Sequence, residues 1–381
     1  MGNLKNLDAF LDYALNERGI AGAGLRVYQG TECLYDKCQG FADAENEKPF
    51  RPDSICQLAS MTKCIAVAAA MQLYEKGLFM LTDPVEKFIP EFADRKVYYT
   101  DGRGFIQTRP AKSPVLVGHL FDMTSGISVG WETPTLNGKE MSEGVQQLLR
   151  EGRYTVMEYA KLCGRIPGNF DPGEHFYYGD SHNILGALIE VLTGKTFGTY
   201  LREKIFEPLG MEDTFFIVPE EKKDRQAVLY AYENGVRKPG KLPSFFFDPN
   251  FESACGGLYG TLEDYSRFAR AMTLGELNGV SVLGKRTVKL MTENRLNETA
   301  LSEFRGPDLA GYGYGLGVRT HMDPSGGFHS SIGEFGWSGA WGTWVAMDPD
   351  AEITIVYFQS ANPSLGNELH PRILEIVYSA L

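Results

Sequence analysis

Long apolar runs are missing from this 381-residue chain. No stretch approaches the 18 residues that a membrane-spanning helix needs, so a bilayer is not an expected partner. A basic excess is missing too. Lys and Arg number 37 against 49 Asp and Glu, a net charge of −12. That leaves no chain-wide cationic surface for phosphates or anionic lipid, and nucleic acid is also not expected as a partner. The six cysteines (33, 38, 56, 64, 163, 255) and six histidines (119, 175, 182, 321, 329, 370) show no metal-type spacing and no His-Glu-x-x-His. No metal and no cofactor is expected. Cys33 and Cys38 flank a strand-like segment and are near enough in sequence to meet, but reduced thiols are the expectation for a cytoplasmic chain. The start, Met1-Gly2-Asn3-Leu4-Lys5-Asn6-Leu7-Asp8, has no apolar run behind its lysine, and Gly2 lacks a Ser or Thr at position six. It reads neither as a secretory signal nor as a myristoylation site, and a cytoplasmic location is expected. Internal repeats and low-complexity tracts are absent as well.

Ordinary globular material is what remains. Hydrophobic residues make up 43% and charged residues 23%, enough to build a full core. Leu4, Leu7, Phe10, Leu11 and Ala14 share one face of a helix over 4–17. Two strands follow, Gly22 to Tyr28 and Glu32 to Gln39, around a turn at Gln29-Gly30-Thr31. Ser60 to Lys76 reads as a helix with Cys64, Ile65, Ala68, Gln72 and Leu73 along one side and Gly77 past its end. Residues 80 to 300 are mostly helical and rich in turns, with an apolar stripe of Ile184, Leu185, Leu188, Ile189 and Leu192 that stops at Gly194. Strand character returns at Gly342 to Met347 and Ile353 to Gln359, separated by Asp348-Pro349-Asp350, and 371–381 reads as a closing helix. Strands at both ends of a chain commonly join one sheet. The expected architecture is therefore one α/β lobe from about 1–64 and 309–381, with a helical lobe inserted at about 65–308 and a cleft at their boundary.

Chemistry concentrates at Ser60-Met61-Thr62-Lys63, the one Ser-x-x-Lys in the chain. Residues three apart on a helix share a face, so Lys63 reaches the Ser60 hydroxyl. Serine needs a base, and burial lowers a lysine's pKa toward that role. The positive end of a helix adds N–H groups for an oxyanion. A surface lysine behind an N-capping serine gives the same four letters, so context decides.

That context resembles the serine β-lactamase-like proteins, a group that includes class C β-lactamases, D-Ala-D-Ala carboxypeptidases, D-aminopeptidases and family VIII carboxylesterases. The stretch from Arg51 to Lys63 resembles their nucleophile region, and Leu120 to Gly126 their Leu-Leu-x-His-Thr-Ser-Gly segment. Pro172 to Asp180, followed by Ile184-Leu185-Gly186, is similar to the second catalytic motif. Ser253-Ala254-Cys255-Gly256-Gly257-Leu258 with Asp264 to Phe268 matches a glycine-rich element. The order is right from about residue 22 to 360. The resemblance implies a single α+β domain of β-lactamase/transpeptidase type, an antiparallel sheet flanked by the terminal helices with an inserted helical lobe.

It also implies roles. Tyr178, rather than Tyr177, falls on the tyrosine of Tyr-x-Asn and would share a proton relay with Lys63. Asp180 takes the asparagine position beside the substrate. A carboxylate there would raise rather than lower the lysine pKa. Gly336-Trp337-Ser338-Gly339-Ala340 matches the Lys-Thr-Gly strand, with Ala340 joining Ser60 as the oxyanion hole and Trp337, Ser338 and Gly339 along the substrate. Trp337 replaces a cation that would hold a substrate carboxylate, which favours esters. The same stretch nearly spells Gly-x-Ser-x-Gly, but it lacks the last glycine and runs into a strand, so Ser338 is the lesser nucleophile. His182 reads as a surface residue at a helix start. Phe245-Phe246-Phe247, with Phe251 and Tyr259, would form either an apolar acyl pocket or core. The expected activity is ester hydrolysis through a Ser60 acyl-enzyme acting on a small-molecule ester. The alternatives are a D-amino-acid peptidase, a weak β-lactamase, an acyltransferase or a non-hydrolytic penicillin-binding protein.

Overall fold

A computed structural model describes residues 4–129, 135–233, 236–240, 248–306 and 309–381. Its centre is an eight-stranded sheet in which every neighbouring pair is antiparallel. The strands are β1 (Gly22–Gln29), β2 (Glu32–Asp43), β3 (Lys48–Pro49), β4 (Tyr312–Tyr314), β5 (Arg319–His321), β6 (Phe335–Ser338), β7 (Trp344–Asp348) and β8 (Ile353–Gln359), in the spatial order β4-β5-β6-β7-β8-β1-β2-β3. β1 and β8 come from opposite ends of the chain and pair from Ala23–Gln359 to Gln29–Ile353.

Both sheet faces are covered, which explains why β8 is buried without interruption. Strand alternation divides it. Ile353, Ile355 and Tyr357 join Trp344 and Ala346 under helices α1 (Asn6–Asn16) and α6 (Gly366–Tyr378). Val356 and Phe358 join Val345 and Met347 on the other face. α1 contributes Leu7, Phe10, Leu11 and Ala14, the stripe read from sequence. α6 contributes Leu369, Ile373, Leu374 and Val377 and begins five residues before the expected start at Pro371. Each fully buried side chain of this size contributes about 1.5–3 kcal/mol.

The second face carries the helices that position the site. α2 (Thr62–Glu75) is buried on all sides from Thr62 to Met71, not along one stripe. Its alanines make it a good helix former with a thin cross-section. It runs between the sheet and α4 (Ser181–Thr193), with α3 (Val156–Arg165) behind α4 and α5 (Leu262–Leu274) packed across β8. α4 ends at Gly194, whose φ of +68° is the left-handed value expected there. Phe245, Phe246 and Phe247 lie outside the described residues, while Phe251 and Tyr259 are buried. Cys33 and Cys38 stand apart along β2, opposite Tyr28 and Gly24. Among the described residues no helix is long and apolar enough to cross a membrane.

Candidate active site

Ser60 does not open α2 directly. A short 3-10 turn, Ala59–Met61, precedes it, and Ala59 is left-handed at φ +46°. That conformation costs a non-glycine residue roughly 1–2 kcal/mol and marks a turn held by its surroundings. The holding bonds are visible. The Leu58 carbonyl accepts from Met61 N–H (3.1 Å) and the Thr343 hydroxyl (3.0 Å). Leu58 N–H donates to the Leu258 carbonyl (2.9 Å), and the Tyr265 hydroxyl donates to Met61 O (2.9 Å).

Lys63 is buried, and its Nζ donates to Ser60 Oγ (3.2 Å) and to the Cys255 carbonyl (2.6 Å). The ammonium also lies 4.7 Å from the centre of the Tyr178 ring. Burial is the largest single influence and pushes its pKa down, but Tyr178, Cys255 and Asp180 together hold it above the ordinary lysine value. This corrects the expectation of a lysine lowered by burial. In the resting geometry Lys63 Nζ donates to Ser60 Oγ. Cys255 is presented to it by Asn183, whose Oδ1 accepts from Cys255 N–H (3.2 Å) and the Ser253 hydroxyl (3.1 Å). Sequence reasoning matched the Ser253–Leu258 element without seeing this purpose. Burial pushes the Cys255 thiol up to about 12, so a neutral sulfur lines the pocket.

Tyr178 approaches from the loop before α4. Gly179 fixes its depth, because a Cβ there would sit 2.1 Å from the Ile127 carbonyl. The loop is tied down by Asp171, which is buried and accepts two bonds from Arg109 (2.9 and 2.6 Å) and one from Lys112 N–H (2.9 Å). The Trp337 indole donates to the Tyr178 phenolic oxygen at 2.8 Å, and the two rings stack at 5.3 Å between centres. Trp337 therefore grips Tyr178 from behind and does not itself line the Ser60 pocket, which corrects the expectation of a direct substrate contact. Tyr177 lies outside the pocket wall, with its N–H on Met123 O.

Asp180 reaches the pocket and accepts from the Tyr159 hydroxyl, which anchors it to α3. His182 is not a surface residue. It is fully buried, its Nε2 faces the Phe121 carbonyl (3.1 Å), and burial together with Lys63 lowers its pKa to about 3, so it is neutral.

The strand segment divides by alternation: Trp337 pairs with Val345 on the face of the α2 core and stacks on Tyr178, whereas Ser338 pairs with Trp344, which belongs to the core under α1 and α6. Ser338 is thus neither a substrate contact nor a nucleophile, because neighbouring strand residues face opposite ways. Gly339 is corrected too. A Cβ there would meet Thr343 Oγ1 at 2.2 Å and Leu58 O at 2.4 Å. Its bareness lets the strand end close on the Leu58 turn, not on substrate. That contact places Ala340 on the same pocket as Ser60. Among the described residues neither the Ser60 nor the Ala340 N–H bonds a backbone carbonyl outside its own element.

The resulting pocket holds about 90 Å³ and is lined by Ser60, Lys63, Tyr178, Asp180, Cys255 and Ala340, together with Gln57 and Trp341, which sequence reasoning missed. Lys63 is the only cation on that wall among the described residues.

The Beta-lactamase family model matches residues 6–378. Protein Rv1367c of Mycobacterium tuberculosis is 31% identical over 361 residues, 91% of this chain and 87% of its own. Esterase EstB of Burkholderia gladioli is 28% identical over 358 residues, 88% and 85% of the two chains. The solved structure of EstCE1, described as a hydrolase with promiscuous acyltransferase activity, superposes with a TM-score of 0.81 over 98% of each chain at 20% identity, a likeness of fold.

Proposed function

The chain belongs to the Beta-lactamase family, and from that premise we propose that it is a serine carboxylesterase working through a Ser60 acyl-enzyme. The observation that carries this reading is the contact of Ser60 Oγ with Lys63 Nζ at 3.2 Å in a pocket that Tyr178 and Ala340 also line. Ser60 Oγ attacks the ester carbonyl. Lys63 and Tyr178 take that proton as one coupled relay. The Trp337 N–H bonds the Tyr178 oxygen at 2.8 Å and Lys63 Nζ lies 4.7 Å from the Tyr178 ring centre, which holds the two relay members together. The carbonyl oxygen takes its developing charge to the Ser60 and Ala340 N–H groups, where each donor contributes about 3 kcal/mol. Tyr178 then returns the proton to the leaving alcohol, and water activated at the same oxygen releases the acid.

Esters fit better than carboxylate-bearing lactams because the wall offers no second cation among the described residues, and Lys63 is already occupied by Ser60 and Cys255. Similarity to Esterase EstB supports the same choice. Similarity to EstCE1 favours acyl transfer as a second outcome of the same intermediate, with an alcohol replacing water. The free thiols and the absence of a membrane-crossing helix among the described residues are compatible with a cytoplasmic location.

Ser60→Ala is expected to abolish turnover of 4-nitrophenyl butyrate. Intact mass of the wild type under rapid quench is expected to show a butyryl adduct that the variant lacks. Retained turnover in Ser60→Ala rejects the assignment. Added methanol separates the two outcomes, since acyl transfer yields the methyl ester.

A further inference from the structure

We propose that a second pocket, against the base of the loop that carries Tyr178, binds a small zwitterion of the α-amino-acid class. Arg295 and His119 would hold its carboxylate and Asp122 its ammonium. The proposal does not depend on the ester-hydrolase reading.

The pocket holds about 270 Å³ and shares no lining residue with the pocket of Ser60. His119 lies in the short helix Val117–Phe121 and Asp122 closes that helix, while Arg295 arrives from a distant stretch. His119 and Asp122 each have one atom that the fold uses and one that it leaves open. His119 Nδ1 accepts from the Leu116 N–H (3.1 Å). Burial, with Arg295 behind it, lowers the His119 pKa to about 4, so the ring is neutral and its proton sits on Nε2. Asp122 is 5% exposed, and its Oδ1 accepts from the Thr124 N–H (3.2 Å) and hydroxyl (2.5 Å). Its Oδ2 meets only the Arg295 Nε at 3.8 Å, which is too far for a hydrogen bond. Unlike the sealed Nδ1 of His182 or Nε2 of His321, the His119 Nε2 and the Asp122 Oδ2 keep accessible surface, and both residues line this pocket.

As an ion pair the arrangement is unfinished. Burial pushes the Asp122 carboxyl up to about 6, against the pull of Thr124 and the distant guanidinium. Closing the 3.8 Å gap would give the two groups a charge-assisted bond, so the open geometry leaves both charges to a third group. The class of that group follows from the wall. Its charged side chains are one guanidinium and one carboxylate. An anion would leave Asp122 facing a like charge, and a cation would do the same to Arg295. A ligand with both charges meets both. Leu81 and Leu116 add apolar surface for a small aliphatic side chain. The volume is just under the range of about 300–1,000 Å³ common for small-molecule sites. Gly173, also on this wall, ties the pocket to the Tyr178 loop. Its N–H donates to Thr124 O (2.8 Å), and its carbonyl accepts from Asn297 Nδ2 (2.9 Å).

The test is calorimetric titration of the whole protein with L-valine and D-valine, with isovalerate, which lacks the ammonium, and with isobutylamine, which lacks the carboxylate. Saturable binding of at least one valine enantiomer is expected, at least about tenfold tighter than either analogue, because each analogue forfeits a hydrogen bond to a charged group. Arg295→Gln and Asp122→Asn are each expected to weaken valine binding by at least about tenfold. Asp122→Asn should leave isovalerate bound as tightly or more tightly, since a like charge is gone. Ser60→Ala is expected to bind valine as the wild type does. Arg295→Gln changes a partly exposed side chain and is expected to keep the wild-type Tm. No saturable binding of either enantiomer at millimolar concentration overturns the proposal, as does an analogue that binds as tightly as valine. Valine affinity unchanged in both variants also overturns it, as does a loss of binding that comes only with a lower Tm. Loss of valine binding in Ser60→Ala would place the ligand in the catalytic pocket and overturn it too.

Discussion

Replacing Trp337 by Phe removes one hydrogen bond and keeps an aromatic ring against Tyr178. The lost bond is 2.8 Å long and ends on the oxygen that is proposed to take and return the Ser60 proton. Its strength depends on the charge of the acceptor. Against a neutral phenol it is worth about 1 kcal/mol, and against developing negative charge about 1.5–3 kcal/mol. Only the difference that builds up in the transition state slows the reaction. The expected loss in kcat is therefore roughly twofold to thirtyfold, from a difference of about 0.5–2 kcal/mol at 1.36 kcal/mol per factor of ten. KM should move little, because the bond is internal to the protein. Packing adds a term. The indole also touches Tyr314 edge-on at 5.2 Å and Phe304 at 6.4 Å, so Tm is expected to fall by a few degrees. A double-mutant cycle with Tyr178→Phe isolates the bond. If Trp337 acts through Tyr178, Trp337→Phe costs little more once the phenol is gone. An equal loss of kcat in both backgrounds, or a loss confined to KM, refutes this reasoning and returns Trp337 to the role of a direct substrate contact.

Two other perturbations test the frame of the site. Gly339→Ala puts a methyl within 2.4 Å of the Leu58 carbonyl. It is expected to cost about 1–3 kcal/mol of stability and to lower kcat by about a hundredfold or more as Ala340 shifts, measured by melting and by ester turnover. Asp171→Asn breaks the two-bond clasp with Arg109 that ties down the Tyr178 loop. The partner cations Arg109 and Lys112 are partly in water, so a loss of about 2 kcal/mol at neutral pH is expected, not the full cost of a buried pair. The Arg109 guanidinium, first among its partners, holds the Asp171 carboxyl well below the usual carboxylate range. Its stabilisation is thus present above the ordinary value of about 4 and is lost as pH falls through the lower folded value. Denaturant titrations should show a constant gap between wild type and Asp171→Asn from pH 6 to 8, closing below about pH 4.

Local pattern carried much of the site. Ser60 and Lys63 were legible because helical spacing alone brings them together, and Tyr178 because its surrounding motif kept its register. The failures have physical causes. Gly339 looked like a substrate contact, and Ser338 was placed beside it. Which face a strand presents depends on what packs against it, and four letters do not reveal that. His182 looked like a surface residue because burial of a helix start is decided by the Phe121 segment, 61 residues away. Lys63 was expected to be lowered by burial. Its net direction is up because Tyr178, Cys255 and Asp180 converge on it from two distant stretches.

The sequence by itself determined the paired terminal segments and a candidate nucleophile, through periodicity and short-range spacing that act within one helix or strand, and the antiparallel α+β frame through its resemblance to a known family. The tertiary structure alone decided that Lys63 is held above rather than below its ordinary value, that Trp337 bonds Tyr178, and that Gln57 and Trp341 join the pocket wall. Each of these is an electrostatic, hydrogen-bonding or packing fact between residues tens to hundreds of positions apart, and such facts exist only once the chain has closed around them.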